Sequence, residues 1–470
     1  DGEGDRIPPD PHDQGGTADT RSSNLSLRVA RDTKPLDWKL GLSYYSSEQD
    51  TRFSKMPGQP HAIKTGTQEG GIQGENPDSR NILLDTALSL HQIPVPLELR
   101  CFYRDFHQRF TYYPYFPGGG QDHIQSRKFG AKLLSHAKSD RGLLQWGVDY
   151  SGEKTSQILE DGRSWVPELT QTGISPFLQG EYFPSRKWSL TASLRREFTQ
   201  LEMEDHTLLF SGATLGGGKL DYQGTPFQLG CRYGEGPAQL FANFSRSFGL
   251  SDVGYQIRGT QAATLAQADP RALRNDRREV GLDYRGSSVR GSLVGFVDES
   301  KTGVNYGPPP LLAMTFNPEK IQGLEMSFEW EMLPRWSWGG TYSYCEGRRD
   351  TSGDGLPDAY LPGYRIPPVK WTLHLENRTT DDWSNYLQVF HSGNRDRFPG
   401  STAFSEGRVD SYFLLDFLSR VNCRRGTFSL GVENLLDKQY FSPISQWFNY
   451  GPLYSAARGR SVRLSWLLDW

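Results

Sequence analysis

The chain has 470 residues, a net charge of -3, 13% aromatic residues, 51 Gly and 29 Pro. Its mean hydropathy is -0.63. The near-neutral charge leaves no nucleic-acid footprint. No run of about 18 apolar residues occurs, so no transmembrane helix is expected. Low hydropathy leaves a transmembrane β-barrel open, because alternation hides the apolar face from any window average. Cys101, Cys231, Cys345 and Cys423 are far apart and form no CxxC, so they read as small strand residues and not as a zinc site. The start, Asp1-Gly2-Glu3-Gly4-Asp5, is acidic with no apolar core behind it, so it reads as an internal cut and not as a signal peptide.

Residues 1–22 are polar and rich in Gly, Pro and Asp, and read as a loop. From residue 23 to 470 strand follows strand. Leu25, Leu27 and Val29 alternate with polar residues; so do Trp38, Leu40, Leu42 and Tyr44. Short turns such as Ile93-Pro94-Val95-Pro96, Ser139–Gly142, Pro184-Ser185-Arg186 and Leu333-Pro334-Arg335 join strands in pairs. Long connections separate the pairs, near 46–78, 112–122, 158–167, 203–217, 251–276, 306–317, 350–366, 398–407 and 436–458. Strict alternation of short and long connections is the asymmetry of an outer-membrane barrel. No blade repeat suggests a propeller. Between the apolar positions, Asp37, Lys39, Gln145, Asp149 and Arg463 are expected to face a wet lumen. The last strand shows the pattern best: Val462, Leu464, Trp466, Leu468 and Trp470 on one face, with Ser461, Arg463 and Ser465 on the other. The expected fold is an all-β, antiparallel transmembrane barrel of about 19 strands in outer-membrane lipid.

The C-terminal residues resemble the TonB-dependent outer-membrane receptors, above all the ferric-siderophore branch. Gly431-Val432-Glu433-Asn434-Leu435-Leu436-Asp437-Lys438-Gln439-Tyr440 is similar to the family's penultimate-strand signature. Gly459-Arg460-Ser461-Val462-Arg463-Leu464 resembles its closing strand, with Trp470 in the terminal aromatic slot. Phe241–Phe248, Arg278–Leu282, Ile321–Glu325 and Tyr412–Asp416 resemble further landmarks in the right order. The resemblance implies a barrel of about 22 strands around an N-terminal plug. Aligned from the C-terminus, the plug, the TonB-contacting box and about three strands are then expected to be absent from this chain. The closing strand is expected either to keep one open edge or to pair with residues near 24–31.

The resemblance further implies uptake of an Fe3+-siderophore or similar metal chelate at the Gram-negative cell surface, driven through the plug by the TonB inner-membrane complex, with no covalent chemistry and no required cofactor. A passive porin or protein-interaction barrel without a plug is the alternative. On the resemblance, the ligand would meet aromatic loop residues: Tyr112, Tyr113, Tyr115 and Phe116 in one loop, Trp447, Phe448 and Tyr450 in the last, then Tyr306 and Tyr360. The competing role for each is girdle or loop packing. Asp350, Ser352, Asp354 and Asp358 follow a calcium-loop spacing with Gly355 at position six, but Leu361 stands where the bidentate Glu belongs. The histidines are dispersed and show no HExxH; Gly118-Gly119-Gly120 lacks the Lys of a phosphate loop and reads as a loop apex.

Overall fold

A computed structural model describes residues 20–49, 53–55, 67–69, 78–112, 116–250, 252–307, 314–398, 408–447, 457 and 459–468. In chain order the first strands are β1 (Thr20–Arg31), β2 (Leu36–Gln49), the short hairpin β3 (Phe53–Lys55) and β4 (Thr67–Glu69), β5 (Asp78–Leu90) and β6 (Leu97–Tyr112). Next come β7 (Gln121–Ser139), β8 (Gly142–Leu159), β9 (Ser164–Ser185), β10 (Trp188–Arg195), β11 (Glu197–Met203), the small hairpin β12 (His206–Thr207) and β13 (Thr214–Leu215), β14 (Gly218–Gly224), β15 (Phe227–Tyr233) and β16 (Ala238–Leu250). Two short helices, α1 (Val253–Ile257) and α2 (Leu265–Ala268), precede β17 (Ala272–Arg285), β18 (Val289–Tyr306), β19 (Met314–Leu333) and β20 (Trp336–Arg349). The chain continues through β21 (Ala359–Tyr360), β22 (Lys370–Arg378), β23 (Trp383–Ser392), β24 (Tyr412–Cys423), β25 (Gly426–Glu433), α3 (Pro443–Trp447) and β26 (Ser461–Leu468).

The main sheet joins 22 of these segments, and every named pairing in it is antiparallel with its neighbour along the chain. β10 and β11 are one pass, since both pair with β9. β14 and β15 are likewise one pass, opposite β11 and β10. The break comes at Pro226, which has no N–H for the ladder; Arg195 donates its N–H to the Pro226 carbonyl at 3.0 Å. β21 is a two-residue stub on β20. The wall therefore has about nineteen crossings, the number the alternation predicts. Among the described residues β1 pairs only with β2, and β26 only with β25. Both faces of β1 are exposed. In β26, Leu464 is 64% exposed on one face and Leu467 68% on the other.

Register settles which residues share a face. Leu144, Leu178, Leu190 and Leu229 are exposed on the outer face, as are Tyr182, Trp188, Tyr233 and Tyr284 near the short turns. That is an apolar belt with an aromatic girdle. The inner face is polar, as expected for Gln145 and Asp149. Gln179 donates to Gln145 at 2.7 Å, and Asp149 meets Lys132 at 3.6 Å and also Arg195. Lys128–Glu153 at 2.9 Å, Arg232–Asp283 at 2.7 Å and Arg277–Asp298 at 3.2 Å extend the ladder. Each pair is partly solvated and individually weak. Together they keep long side chains against the wall.

A second inner device recurs. Phe102, Phe177, Phe241 and Phe296 each lie directly opposite a glycine on the next strand: Gly130, Gly147, Gly281 and Gly323. The ring occupies the space a Cβ would take. Three of the rings carry a cation above them: Lys132 at 4.7 Å from Phe177, Arg232 at 5.4 Å from Phe241 and Arg277 at 4.6 Å from Phe296.

Candidate ligand site at the long-loop end

The strands are longer than a membrane requires. β9 has 22 residues and β19 has 20, against the roughly 9–11 that cross a bilayer. The excess lifts the long connections clear of the belt. There the chain builds its dry core, from Val166 and Leu169 on β9, Leu201 and Met203 on β11, Leu208 and Leu215 around the small hairpin, and Val253, Ile257 and Leu265 on the helices. The segments 203–217 and 251–276, read from sequence as loops, thus contain structure. Asp252 caps α1 by accepting the Tyr255 N–H at 3.3 Å. Thr264 caps α2 by accepting that of Gln267 at 3.2 Å.

On this platform aromatic residues from six connections line up around one guanidinium, which meets two of them. Phe116 packs edge-on against Trp165 with ring centres 4.8 Å apart, and against Phe210 at 6.4 Å. Arg258 follows α1 and sits 4.2 Å from the Trp165 ring centre and 3.6 Å from that of Tyr255. Tyr255 meets Tyr306 at 5.5 Å, and Tyr306 meets Tyr364 at 5.9 Å. The Tyr364 hydroxyl accepts the Tyr306 N–H at 2.8 Å. Arg258 is 4% exposed. Burial pulls its guanidinium down from the ordinary value, opposed by Tyr255 and Asp252; arginine stays charged through such a change. Beside this row Arg365 bonds to Glu319 and to the Val304 carbonyl. Both amide atoms of Asn305 and Glu319 Oε2 are buried without a hydrogen-bond partner among the described residues. The arrangement offers a fixed positive charge, flat apolar faces and spare polar atoms, which suits a bulky anionic ligand with planar parts.

Two of the sequence candidates, Phe116 and Tyr306, enter this network. Phe116 does so as a packed residue, 2% exposed. Tyr360 stands elsewhere, accepting from Arg348 at 3.0 Å. Tyr112 ends β6 opposite Gln121 and Trp447 ends α3; Tyr113, Tyr115, Phe448 and Tyr450 lie outside the described residues. Sequence reasoning missed Trp165, Phe210, Tyr255, Arg258, Tyr364 and Arg365. Tyr255 and Arg258 share one connection and Tyr364 and Arg365 another, and their only signal was an aromatic or basic residue in a long connection. The glycine apex at 118–120 is a clasped turn. Arg163 bonds to the Pro117 carbonyl and, at 2.7 Å, to that of Gly119.

The calcium-like spacing folds into a loop tied by its own hydrogen bonds. Asp350 turns one oxygen to the Gly353 N–H and the other to the Gly355 N–H, both at 2.7 Å. Both glycines have positive φ, 81° and 86°, which aims their N–H groups inward. Asp358 accepts from Thr351 N at 2.8 Å. These hydrogen bonds hold the Asp350 carboxyl below its ordinary value, that from Gly353 contributing most. Calcium takes six to eight converging oxygens. Among the described residues no three His, Cys, Asp or Glu gather as a metal site.

The C-terminal signature is also explained by geometry. Asn434 adopts φ 51° and Asp437 φ 55°. The Asn434 side chain accepts the Lys438 N–H and donates to the Lys438 carbonyl, both at 2.8 Å, while its backbone N–H donates to Asp416 on β24 at 2.8 Å. Tyr440 packs on Tyr412 at 4.5 Å. The sequence matches the TonB dependent receptor-like β-barrel family over residues 2–435. This chain belongs to that family. The family consists of receptors and transporters of the Gram-negative outer membrane, not enzymes, and the lipid belt and wet lumen described above are those of an outer-membrane barrel.

Among curated proteins the barrel is similar to the ferric aerobactin receptor of Klebsiella pneumoniae, 22% identical over 408 residues, covering 75% of this chain and 53% of that protein. The ferric aerobactin receptor of Escherichia coli matches equally, at 22% over 407 residues with the same coverage. The chain thus spans about half the length of the curated relatives it matches. Among solved structures it is similar to the copper transporter OprC (TM-score 0.79, 14% identity, 98% of this chain and 72% of that one). It is similar to the ferric citrate transporter FecA in the unliganded form (0.73, 16%, 95% and 69%). It also resembles the siderophore receptor PiuA from Acinetobacter baumannii (0.71, 15%, 96% and 74%). These likenesses establish the fold.

Proposed function

We propose that the chain is the barrel of a receptor that takes up a ferric siderophore, working in the intact protein with a plug domain and the TonB complex of the inner membrane. The observation that carries this is the match to ferric aerobactin receptors over three quarters of the chain. The long-loop end supports it: the buried Arg258 guanidinium against the Trp165 and Tyr255 rings gives the Trp165–Tyr255–Tyr306 row a positive field and flat apolar faces that suit an anionic chelate. In this reading Arg258 acts through its field and by holding the aromatic rings in place. Direct contacts fall to Tyr306 and to the aromatic residues that the sequence puts in the long connections, Tyr112, Tyr113, Tyr115, Trp447, Phe448 and Tyr450.

The test is uptake of radioactive iron, supplied as ferric aerobactin or as ferric citrate, by iron-starved cells carrying the intact gene or its deletion. Uptake of ferric aerobactin that needs both this gene and TonB supports the reading. Uptake unchanged by the deletion for both chelates overturns it.

A further inference from the structure

A crease crosses three neighbouring strand passes at one level of the wall. Arg196 separates β10 from β11, and Thr225 and Pro226 separate β14 from β15. Arg195 donates its N–H to the Pro226 carbonyl and Arg196 donates its own to that of Pro176 on β9, both at 3.0 Å. A hydrogen-bonded antiparallel pair exchanges two such bonds. Proline has no N–H to return. The carbonyls of Arg195 and Arg196 therefore get no donor from their ladder partners, one on each side of the middle pass.

Above the crease the wall is also open along one side. β14 pairs with β11. β16 pairs with β15 only as far as Arg246, opposite Phe227, and beyond it with β17. No ladder joins β14 to β16 among the described residues, and the Phe248 ring lies where a Cβ of Gly224 would be.

The part above the crease holds together as one body. The dry core joins the tops of β9 and β11 to the small hairpin and the two helices. Gly216 donates to the Ala263 carbonyl at 2.8 Å and accepts from the Leu265 N–H at 2.7 Å. The Tyr222 hydroxyl on β14 donates to the Pro270 carbonyl at 2.7 Å. Across the crease, on the lumen side, Arg195 bonds to Asp149 and Glu197, and Ser175 bonds to Glu197. These partly solvated side-chain bonds limit a motion without fixing the wall. Trp165, Phe210, Tyr255 and Arg258 ride on this body, whereas Tyr306 ends β18. The aromatic row thus divides between Tyr255 and Tyr306.

We propose that the platform tilts as one body on this crease, its β14 side moving furthest, and so opens and closes the mouth between Tyr255 and Tyr306. Arg196 and Thr225, at the ends of strand segments, are the hinge residues that absorb the change in backbone angles. The inference concerns the wall and is independent of which ligand arrives.

The test is pulsed electron paramagnetic resonance on the full chain in detergent, with Cys101, Cys231, Cys345 and Cys423 replaced by alanine and spin labels placed in pairs. Thr207 and Ala266 are exposed on the platform, and Lys320 is exposed on β19. Distances from Thr207 and from Ala266 to Lys320 should spread at least twice as widely as the distance between Thr207 and Ala266. Pro176→Thr with Pro226→Thr, which supplies both missing donors, should narrow the two distances to Lys320. If that variant does not fold, Pro226→Thr alone should narrow them, and Arg195→Met, which releases the lumen-side bonds, should widen them. Equally narrow spreads for all three pairs in the chain that keeps its prolines would overturn the proposal. So would a Thr207–Ala266 spread as wide as the others, which means loops moving separately, or distances to Lys320 that none of these variants changes.

Discussion

Asp437 grips Arg460 twice: one carboxylate oxygen accepts the Arg460 backbone N–H at 2.6 Å, and the other meets its guanidinium at 3.3 Å. Asp437 stands where the chain leaves β25, and Arg460 where it enters β26. The pair ties off the base of the last long connection, whatever lies between. Asp437→Ala should cost about 1–3 kcal/mol, the usual loss when hydrogen bonds to a charged group are removed. Asn434→Val should cost more, because it combines lost hydrogen bonds with a β-branched residue at positive φ. Both are read as a lower midpoint in heat-modifiability gels of the folded barrel. An unchanged midpoint in both variants would remove the clasp from the stability argument.

The Phe–Gly pairs on the lumen wall predict a graded series. A Cβ at Gly281 would come 2.3 Å from Phe241 Cζ, so Gly281→Val should displace the ring and cost about 1–3 kcal/mol. At Gly147 a Cβ would lie 2.2 Å from the Leu133 backbone carbonyl oxygen, which cannot swing away, so Gly147→Val should be worse. Gly295 has nothing within 4 Å of its Cβ position, so Gly295→Ala should be nearly neutral. Urea unfolding in detergent ranks the three.

Burial lowers the pKa of His206 from its ordinary 6.5, and its Nε2 is buried without a hydrogen-bond partner among the described residues. A depressed histidine favours the fold while neutral. Its contribution is complete above pH 6.5 and is lost as pH falls through the lower folded value. Proteolysis within 203–217 should therefore rise below pH 6.5. His206→Phe should flatten that rise, and an identical pH profile in the variant would assign the effect elsewhere.

If Arg258 orders the mouth, Arg258→Met should keep most of the volume but release Trp165 and Tyr255 from the cation. Ferric aerobactin binding, followed by quenching of tryptophan fluorescence, should weaken at least tenfold, with the barrel's heat-modifiability unchanged. Equal loss of binding and of the folded band would mean a packing role alone.

The loop at 350–358 should respond to its own hydrogen bonds and not to added ion. Asp350→Ala should increase hydrogen exchange at Gly353 and Gly355, whose N–H groups it accepts. Calcium and chelator should leave that exchange unchanged; protection by millimolar calcium would restore the metal reading.

The fold was legible because a barrel wall is written in a local code. Period-two alternation, as in Val462–Leu468, fixes which side chains face lipid. Short turns such as Ser139–Gly142 fix antiparallel neighbours. Both are set by residues close in sequence, so the number of crossings and the orientation of Gln145 and Asp149 followed without coordinates. The C-terminal signature was visible as a motif, yet its role was not, since Asp437 works on Arg460 across a long connection. The loop site was still less legible. Phe116, Trp165, Arg258 and Tyr306 come from different connections, and nothing local in any of them marks a partner. They meet only because strands of fixed length and register raise those connections to one height, and burial of Leu201, Ile257 and Leu265 then locks them together. The calcium spacing shows the converse. Its spacing is plain in the sequence, but only the structure shows two positive-φ glycines turning N–H groups onto the carboxylate of Asp350. Alternation along one strand determines the wall; contacts between strands and loops far apart in sequence decide the site.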